Sequence, residues 1–311
     1  MEDKASLALA LKKKTKWFLF KSFLLFSVVR GHNLFLLVIV QYFSAIFIIS
    51  PENLMVHEII SDRNLFLLVV STAICVASGY IINNFYDSEK DLINRPTQSY
   101  LNRLISSRLK INLYFLLNFL AISLSLLISY KAFLMFCGYI FIMWFHSHKL
   151  NKIVVFGNIS AAFLGMIPYL LVLFYYENTQ LHLFLYPLLM FCMVIMKTIV
   201  KDQADLSGDL VRNYRTIPVV YGNTITKKVL TGISLSIIIG SLFSVCYLSL
   251  NIYFNIYIFI VILALALFIY LNQKSKTKVH YLELHFLLKM LITFSVLCVI
   301  FIDLPRVLVY L

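Results

Sequence analysis

LFLLVVSTAICVASGYIINNFYDSEKDLINRP, residues 65–96, is the stretch from which the fold can be read. From Leu65 to Phe85 it stays apolar long enough, at about 1.5 Å per helical residue, to cross the roughly 30 Å of hydrocarbon in a bilayer. It then changes character within a turn. Asn83, Asp87 and Asp91 recur every four residues, so a helix puts all three on one face, with Asn84 beside it. A membrane span that ends in an acidic stripe is the element to be explained.

Composition makes lipid the solvent for the whole chain. Of 311 residues, 61% are hydrophobic and 13% charged, and mean hydropathy is +0.88, a surface that water would not keep in solution. The net charge of +13 would suit nucleic acid, but Lys and Arg sit between apolar runs, where they set topology and attract anionic lipid or substrate. No nucleic-acid partner is expected. Cys75, Cys137, Cys192, Cys246 and Cys298 lie in apolar runs without C-x-x-C spacing and read as packing residues. Lys12, Lys13, Lys14 and Lys16 precede an aromatic run from Trp17 to Val29 that has no small-residue cleavage site after it. That pattern predicts a basic helix over residues 12–30 at the inner membrane surface rather than a removable signal.

About nine apolar runs are long enough to cross hydrocarbon. They lie near Asn33–Ser50, Leu65–Phe85, Leu113–Tyr130, Phe133–Phe145, Val154–Tyr176, Leu183–Val200, Val229–Leu250, Tyr253–Leu271 and Leu284–Leu311. Alternate loops hold nearly all the Lys and Arg: the N-terminus, Asp87–Lys110, Lys149–Lys152, Lys197–Lys228 and Lys274–Lys278. The positive-inside rule puts these in the cytoplasm, and an odd number of spans then puts Leu311 on the far side. No repeat, Gly/Ser linker or low-complexity tract divides the chain. The expected organisation is a basic segment, 1–32, at the cytoplasmic membrane surface, followed by one multi-spanning domain, 33–311.

A second acidic stripe, KDQADLSGD (201–209), spaces Asp202, Asp205 and Asp209 by three and then four, again one helical face. Like charges on a stripe repel, and carboxylates near hydrocarbon cost several kcal/mol, so something positive must compensate them. A single such cluster could be a solvated helix end. Two with matched periodicity, both at cytoplasmic ends of spans, point to Mg2+, a hard ion that joins carboxylates to substrate phosphates, and the pairing suggests a diphosphate.

At these residues the chain resembles the UbiA superfamily of intramembrane prenyltransferases, whose motifs read N-D-x-x-D-x-x-x-D and D-x-x-D-x-x-x-D. INRP (93–96) follows the first motif, and Gly208-Asp209 and RTIPVVYG (215–222) follow the second, as in the family. VVRGHNLFLLVIVQY (28–42), HSHKLNK (146–152) and GNISAA (157–162) resemble its other signatures, and their wording looks most like a bacterial branch similar to geranylgeranylglycerol-phosphate geranylgeranyltransferases. One departure is Asn84, where the pattern has an aspartate.

The resemblance implies an all-α integral membrane fold of about nine transmembrane helices around a central cavity. The implied activity is Mg2+-dependent transfer of a prenyl group from an allylic polyprenyl diphosphate to a lipophilic acceptor, an isoprenoid glycerol phosphate before an aromatic quinone precursor. Asp87, Asp91, Asp202, Asp205 and Asp209 are the implied catalytic residues and, with Asn83 and Asn84, the implied metal ligands. Arg30, Asn33, Arg95, Lys152, Lys201 and Arg215, again with Asn83 and Asn84, are the implied substrate-binding residues. The setting implied is a multi-pass protein of a bacterial inner membrane, with its active site on the cytoplasmic side. Two other classes fit less well. CDP-alcohol phosphotransferases carry a D-G-x-x-A-R element absent here, and a transporter or scaffold would place polar residues at midmembrane rather than at one face.

Overall fold

A backbone in hydrocarbon must satisfy its own N–H and C=O groups, which leaves helices or closed barrels. The computed structural model of this protein takes the first route; it describes residues 24–51, 54–178, 183, 185–247 and 252–298, with no strand among them. The helices are α1 (Gly31–Ser44, prolonged by a π-helical turn, Ala45–Ile49), α2 (Val56–Ser61), α3 (Arg63–Tyr86), α4 (Ser88–Asn94), α5 (Pro96–Arg103), α6 (Ser107–Ile128), α7 (Tyr130–His148), α8 (Phe156–Tyr175), α9 (Leu185–Ala204), α10 (Leu206–Val211), α11 (Ile217–Tyr247), α12 (Ile252–Lys274) and α13 (Lys278–Leu297).

Seven of these elements are long and apolar enough to cross a membrane: α1 with its π turn, α3, α6, α8, α11, α12 and α13. The expectation of about nine also counts α7 and α9, which have the length, 19 and 20 residues, but are more polar. Lys197, Lys201 and Asp202 lie on α9, and α7 ends in His146 and His148. Within α11, Gly222 has φ 75° and ψ 167°, a backbone that residues with a Cβ rarely adopt, so the long helix proper begins after it. The expected surface helix over residues 12–30 falls largely outside the described residues, as does the expected last span beyond Cys298.

Association of helices in lipid relies on close packing and interhelical hydrogen bonds. Helix α3 carries Ser71, Thr72, Ala77, Ser78 and Gly79, small enough for α6 and α7 to approach; a Cβ at Gly79 would lie 2.6 Å from the Met143 sulfur. Ser78 Oγ donates to Asn118 Oδ1 of α6 at 2.6 Å. Two large apolar cores result, with a smaller one around Ile81, Ile82 and Tyr114. One gathers α1, α3, α7 and α8 around Phe136, Leu65 and Val172, the other α9, α11, α12 and α13 around Phe268, Leu265 and Leu288. The halves meet where α8 packs on α9 and α1 on α13, so the long helices close on themselves. The outward face is apolar, with Phe35, Phe115, Phe119 and Phe286 largely exposed, as a lipid-facing surface requires.

Pro168 sits inside α8 and has no N–H, which frees the carbonyl of Leu164 one turn earlier. Tyr139 Oη donates to that carbonyl at 3.2 Å, and Gln41 of α1 donates to the Pro168 carbonyl at 3.1 Å. The kinked helix is thereby tied to both neighbours. Tyr139→Phe strands a buried carbonyl, and is expected to lower stability in detergent by about 0.5–2 kcal/mol, read as a lower thermal midpoint, without loss of helix content by circular dichroism.

Candidate active site

Both acidic stripes keep the register expected of them. The helical pattern carries across the junction at Asp87: Asp87 N–H donates to Asn83 O at 2.9 Å, Asp91 N–H to Asp87 O at 2.9 Å and Arg95 N–H to Asp91 O at 2.8 Å. Asp205 N–H donates to Lys201 O at 2.9 Å and Asp209 N–H to Asp205 O at 3.2 Å. Helices α4 and α10, which carry the outer ends of the two stripes, pack against each other.

What joins the stripes is a set of side-chain links. Lys90 Nζ lies 2.7 Å from Asp209 Oδ1, with the two side chains 5% and 0% exposed. Arg95 Nη2 lies 3.2 Å from Asp205 Oδ2, and Arg212 Nη1 lies 2.6 Å from Glu89 Oε2 at the rim. Asn94 Oδ1 accepts from the Ser207 hydroxyl at 3.2 Å and from Gly208 N–H at 3.0 Å. Here the glycine is required, since a Cβ would come within 2.4 Å of the Asn94 amide.

Other elements supply the remaining partners. Asn151, in the loop after α7, donates to Asp87 Oδ1 at 3.2 Å, as does the Tyr214 hydroxyl at 3.2 Å. Asn158 of α8 donates to Asp202 at 2.7 Å, and Thr216 donates to Asp209 at 3.2 Å. The Tyr214 ring lies 4.6 Å beneath the Lys90 ammonium and 5.6 Å from that of Lys152, whose carbonyl accepts from Arg215 N–H. Asp91 faces Asp87, Asp205, Lys201 and Arg95. Burial, and then the Asp87 charge, push its carboxyl above the ordinary range against the pull of Lys201 and Arg95. For Lys90, burial works against the charge, but Asp87 and Asp209 outweigh it and hold the ammonium above its ordinary pKa.

The five aspartates, Arg95, Lys152 and Lys201 are thus gathered at one end of the bundle. Asn83 shares the α3 face that leads into the first stripe. Asn84 is turned away: its Oδ1 accepts from Lys110 Nζ at 2.9 Å. Arg30 and Asn33 meet on Tyr80, the guanidinium 5.0 Å from the ring and the amide 3.4 Å from the hydroxyl. The side chain of Arg215 faces solvent. Sequence reasoning assigned no role to Lys90, Asn94, Lys110, Asn151, Asn158, Tyr214 or Thr216, although Lys90 stands inside the first stripe and Asn151 and Asn158 inside HSHKLNK and GNISAA.

Among the described residues, no three His, Cys, Asp or Glu side chains converge into a ready-made metal cage. A place for a cation nevertheless exists: Asp205 Oδ1 is buried without a hydrogen-bond partner, and the Asp91 charge acts on the same region. All-oxygen donors of this kind suit a hard ion such as Mg2+, which also keeps waters and substrate oxygens in its shell.

A fold of packed membrane helices with two facing acidic stripes at one end defines a class, and comparison with known proteins identifies it. The chain belongs to the UbiA prenyltransferase family, whose model matches residues 45–290. It is 29% identical to the digeranylgeranylglyceryl phosphate synthase of Thermococcus sibiricus over 54% of this chain and 60% of that protein. It is also 29% identical to the synthase of the same description from Methanobrevibacter smithii, over 60% and 68%. It therefore spans about 60% of the length of the first of these relatives. Among solved structures, one described for digeranylgeranylglyceryl phosphate synthase superposes with TM-score 0.64 at 22% identity, covering 92% of this chain and 99% of that one. A UbiA homolog from Archaeoglobus fulgidus bound to GPP and Mg2+ superposes with TM-score 0.63 at 16% identity, covering 89% and 99%.

The Asn94–Gly208 contact gives a direct test of how the stripes are held together. Gly208→Ala must push Asn94 aside and part α4 from α10. Its thermal midpoint in detergent is expected to fall by several degrees, with faster proteolysis between residues 88 and 103 and the spanning helices intact.

Proposed function

We propose that this protein transfers a prenyl group from an allylic polyprenyl diphosphate to a lipophilic acceptor, with Mg2+, at the acidic end of the helix bundle. The observation that carries the reading is the joining of two acidic helix ends through Lys90–Asp209 and Arg95–Asp205, with a carboxylate oxygen of Asp205 buried and unpartnered. Asp91 and Asp205 would hold Mg2+, with Asp87, Asp202 and Asp209 completing the charge around them. When bound, the ion would offset the charge that develops on the departing diphosphate. Lys201 and Arg95, facing Asp91, would hold phosphate oxygens. The apolar helix walls would keep water from the allylic cation.

An isoprenoid glycerol phosphate is the proposed acceptor. Lys197 and Lys201 stand one turn apart on α9, Lys289 lies on α13, and the two helices pack together. Lys197 faces Arg30, Lys201 and Lys289. None of these cations is ion-paired among the described residues, so the interior holds more positive charge than the diphosphate site itself uses. A phosphate-bearing acceptor suits that excess better than a neutral ring does. The names of the matched relatives support the same acceptor. The active end is proposed to face the cytoplasm on the distribution of Lys and Arg. A bacterial inner membrane is proposed on motif wording alone, since the relatives named above are archaeal. The domain division at residues 32 and 33 is likewise a proposal.

The experiment is an assay of purified protein with Mg2+, an allylic diphosphate and either an isoprenoid glycerol phosphate or a hydroxybenzoate, with products identified by mass spectrometry. Pyrophosphate release and a prenylated glycerol phosphate are expected. Asp87→Ala and Asp205→Ala should each reduce the rate at least a hundredfold. Full activity in both variants overturns the mechanism, and prenylation of the aromatic acid alone overturns the acceptor.

A further inference from the structure

Lys90 lies inside the first acidic stripe, between Glu89 and Asp91, where a helix end in water would carry a solvated side chain. It is instead buried, 2.7 Å from Asp209 and over the Tyr214 ring, and it also faces Asp87 and Asp202. Those carboxylates come from both stripes, so the ammonium sits where the stripes meet. We propose that Lys90 is a resident cation of the active site: its ammonium holds the place of a second divalent ion, and the cluster takes up one Mg2+ rather than two. The proposal rests on reading the site as one for Mg2+ and a diphosphate.

Three features argue for it. A lysine has three donors and no vacant coordination position, so a carboxylate it engages at 2.7 Å has one lone pair fewer for a metal. Part of the compensation is already built in: Lys90 on Asp209 and Arg95 on Asp205 offset two of the five carboxylates before any metal binds. The vacant donors are also on one side. Asp205 Oδ1 is unpartnered and the Asp91 charge acts on the same region, whereas Asp87, Asp202 and Asp209 already accept hydrogen bonds or an ion pair from Asn151, Tyr214, Asn158, Thr216 and Lys90.

The test counts metal ions. The full chain in detergent micelles is titrated with Mn2+ in the presence of a geranyl diphosphate analogue whose bridging oxygen is sulfur, and free Mn2+ is read by electron paramagnetic resonance. Wild-type protein is expected to bind one Mn2+ per chain and Lys90→Arg one. Lys90→Met is expected to bind two, with the broadened signal of a spin-coupled pair and a larger rise in thermal midpoint on adding Mg2+ than the wild type gives. Two Mn2+ in the wild type overturns the proposal while leaving the diphosphate site intact, and that measurement decides even where Lys90→Met does not fold. One Mn2+ in a folded Lys90→Met also overturns it. No Mn2+ in any form overturns the diphosphate reading and the proposal with it.

Discussion

Five carboxylates must be kept at the place where two helices leave hydrocarbon, and most of the local structure follows from how they are compensated. An isolated carboxylate there costs several kcal/mol. The protein meets that cost with two ion pairs, Lys90–Asp209 and Arg95–Asp205, and with uncharged donors from Asn151, Asn158, Tyr214 and Thr216. Because those donors come from the loop after α7, from α8 and from the segment before α11, neutralising the acids also ties the polar end of the bundle together. Candidate site and tertiary clamp are the same set of contacts. The Asn94–Gly208 latch adds a purely neutral link between the same two segments.

The bundle beneath determines which acids can meet. The first stripe grows from α3, in one apolar core, and the second from α9, in the other. Any change in how the two halves sit would separate Asp87 from Asp209. Contacts of α8 with both α3 and α9 therefore matter beyond packing. Asn158 on α8 reaches Asp202, and the π-extended α1 reaches α8 through Gln41. A hydrogen bond at midmembrane and a salt bridge at the surface are parts of one alignment.

Much of this was legible in the sequence because it depends on periodicity. Apolar runs gave the spans, and the four-residue interval from Asn83 to Asp91 survives in the helical hydrogen bonds across Asp87. What could not be read depends on where another segment lies. Lys90, between Glu89 and Asp91, has the surroundings of a surface residue until α10 brings Asp209 beside it. Asn84 looks like a weakened metal ligand until Lys110, on a different helix, takes its oxygen. Asn151 and Asn158 carry no charge and gave no electrostatic signal, although they engage the acids directly. Helix α9, expected as a span, is less apolar than the others because it carries Lys197, Lys201 and Asp202.

A tethered ammonium differs from a divalent ion in ways that bear on the reaction. Lys90 brings half the charge of Mg2+, but it is already ordered and cannot depart with the product diphosphate. The single Mg2+ would then join the acid cluster to the departing diphosphate, with Arg95 and Lys201 beside it. Arg30, Lys197 and Lys289, without ion-pair partners among the described residues, are then left for the phosphate of the acceptor. The acids of the two stripes would hold the metal, with Lys90 beside it, while the lysines of α9 and α13 face phosphate.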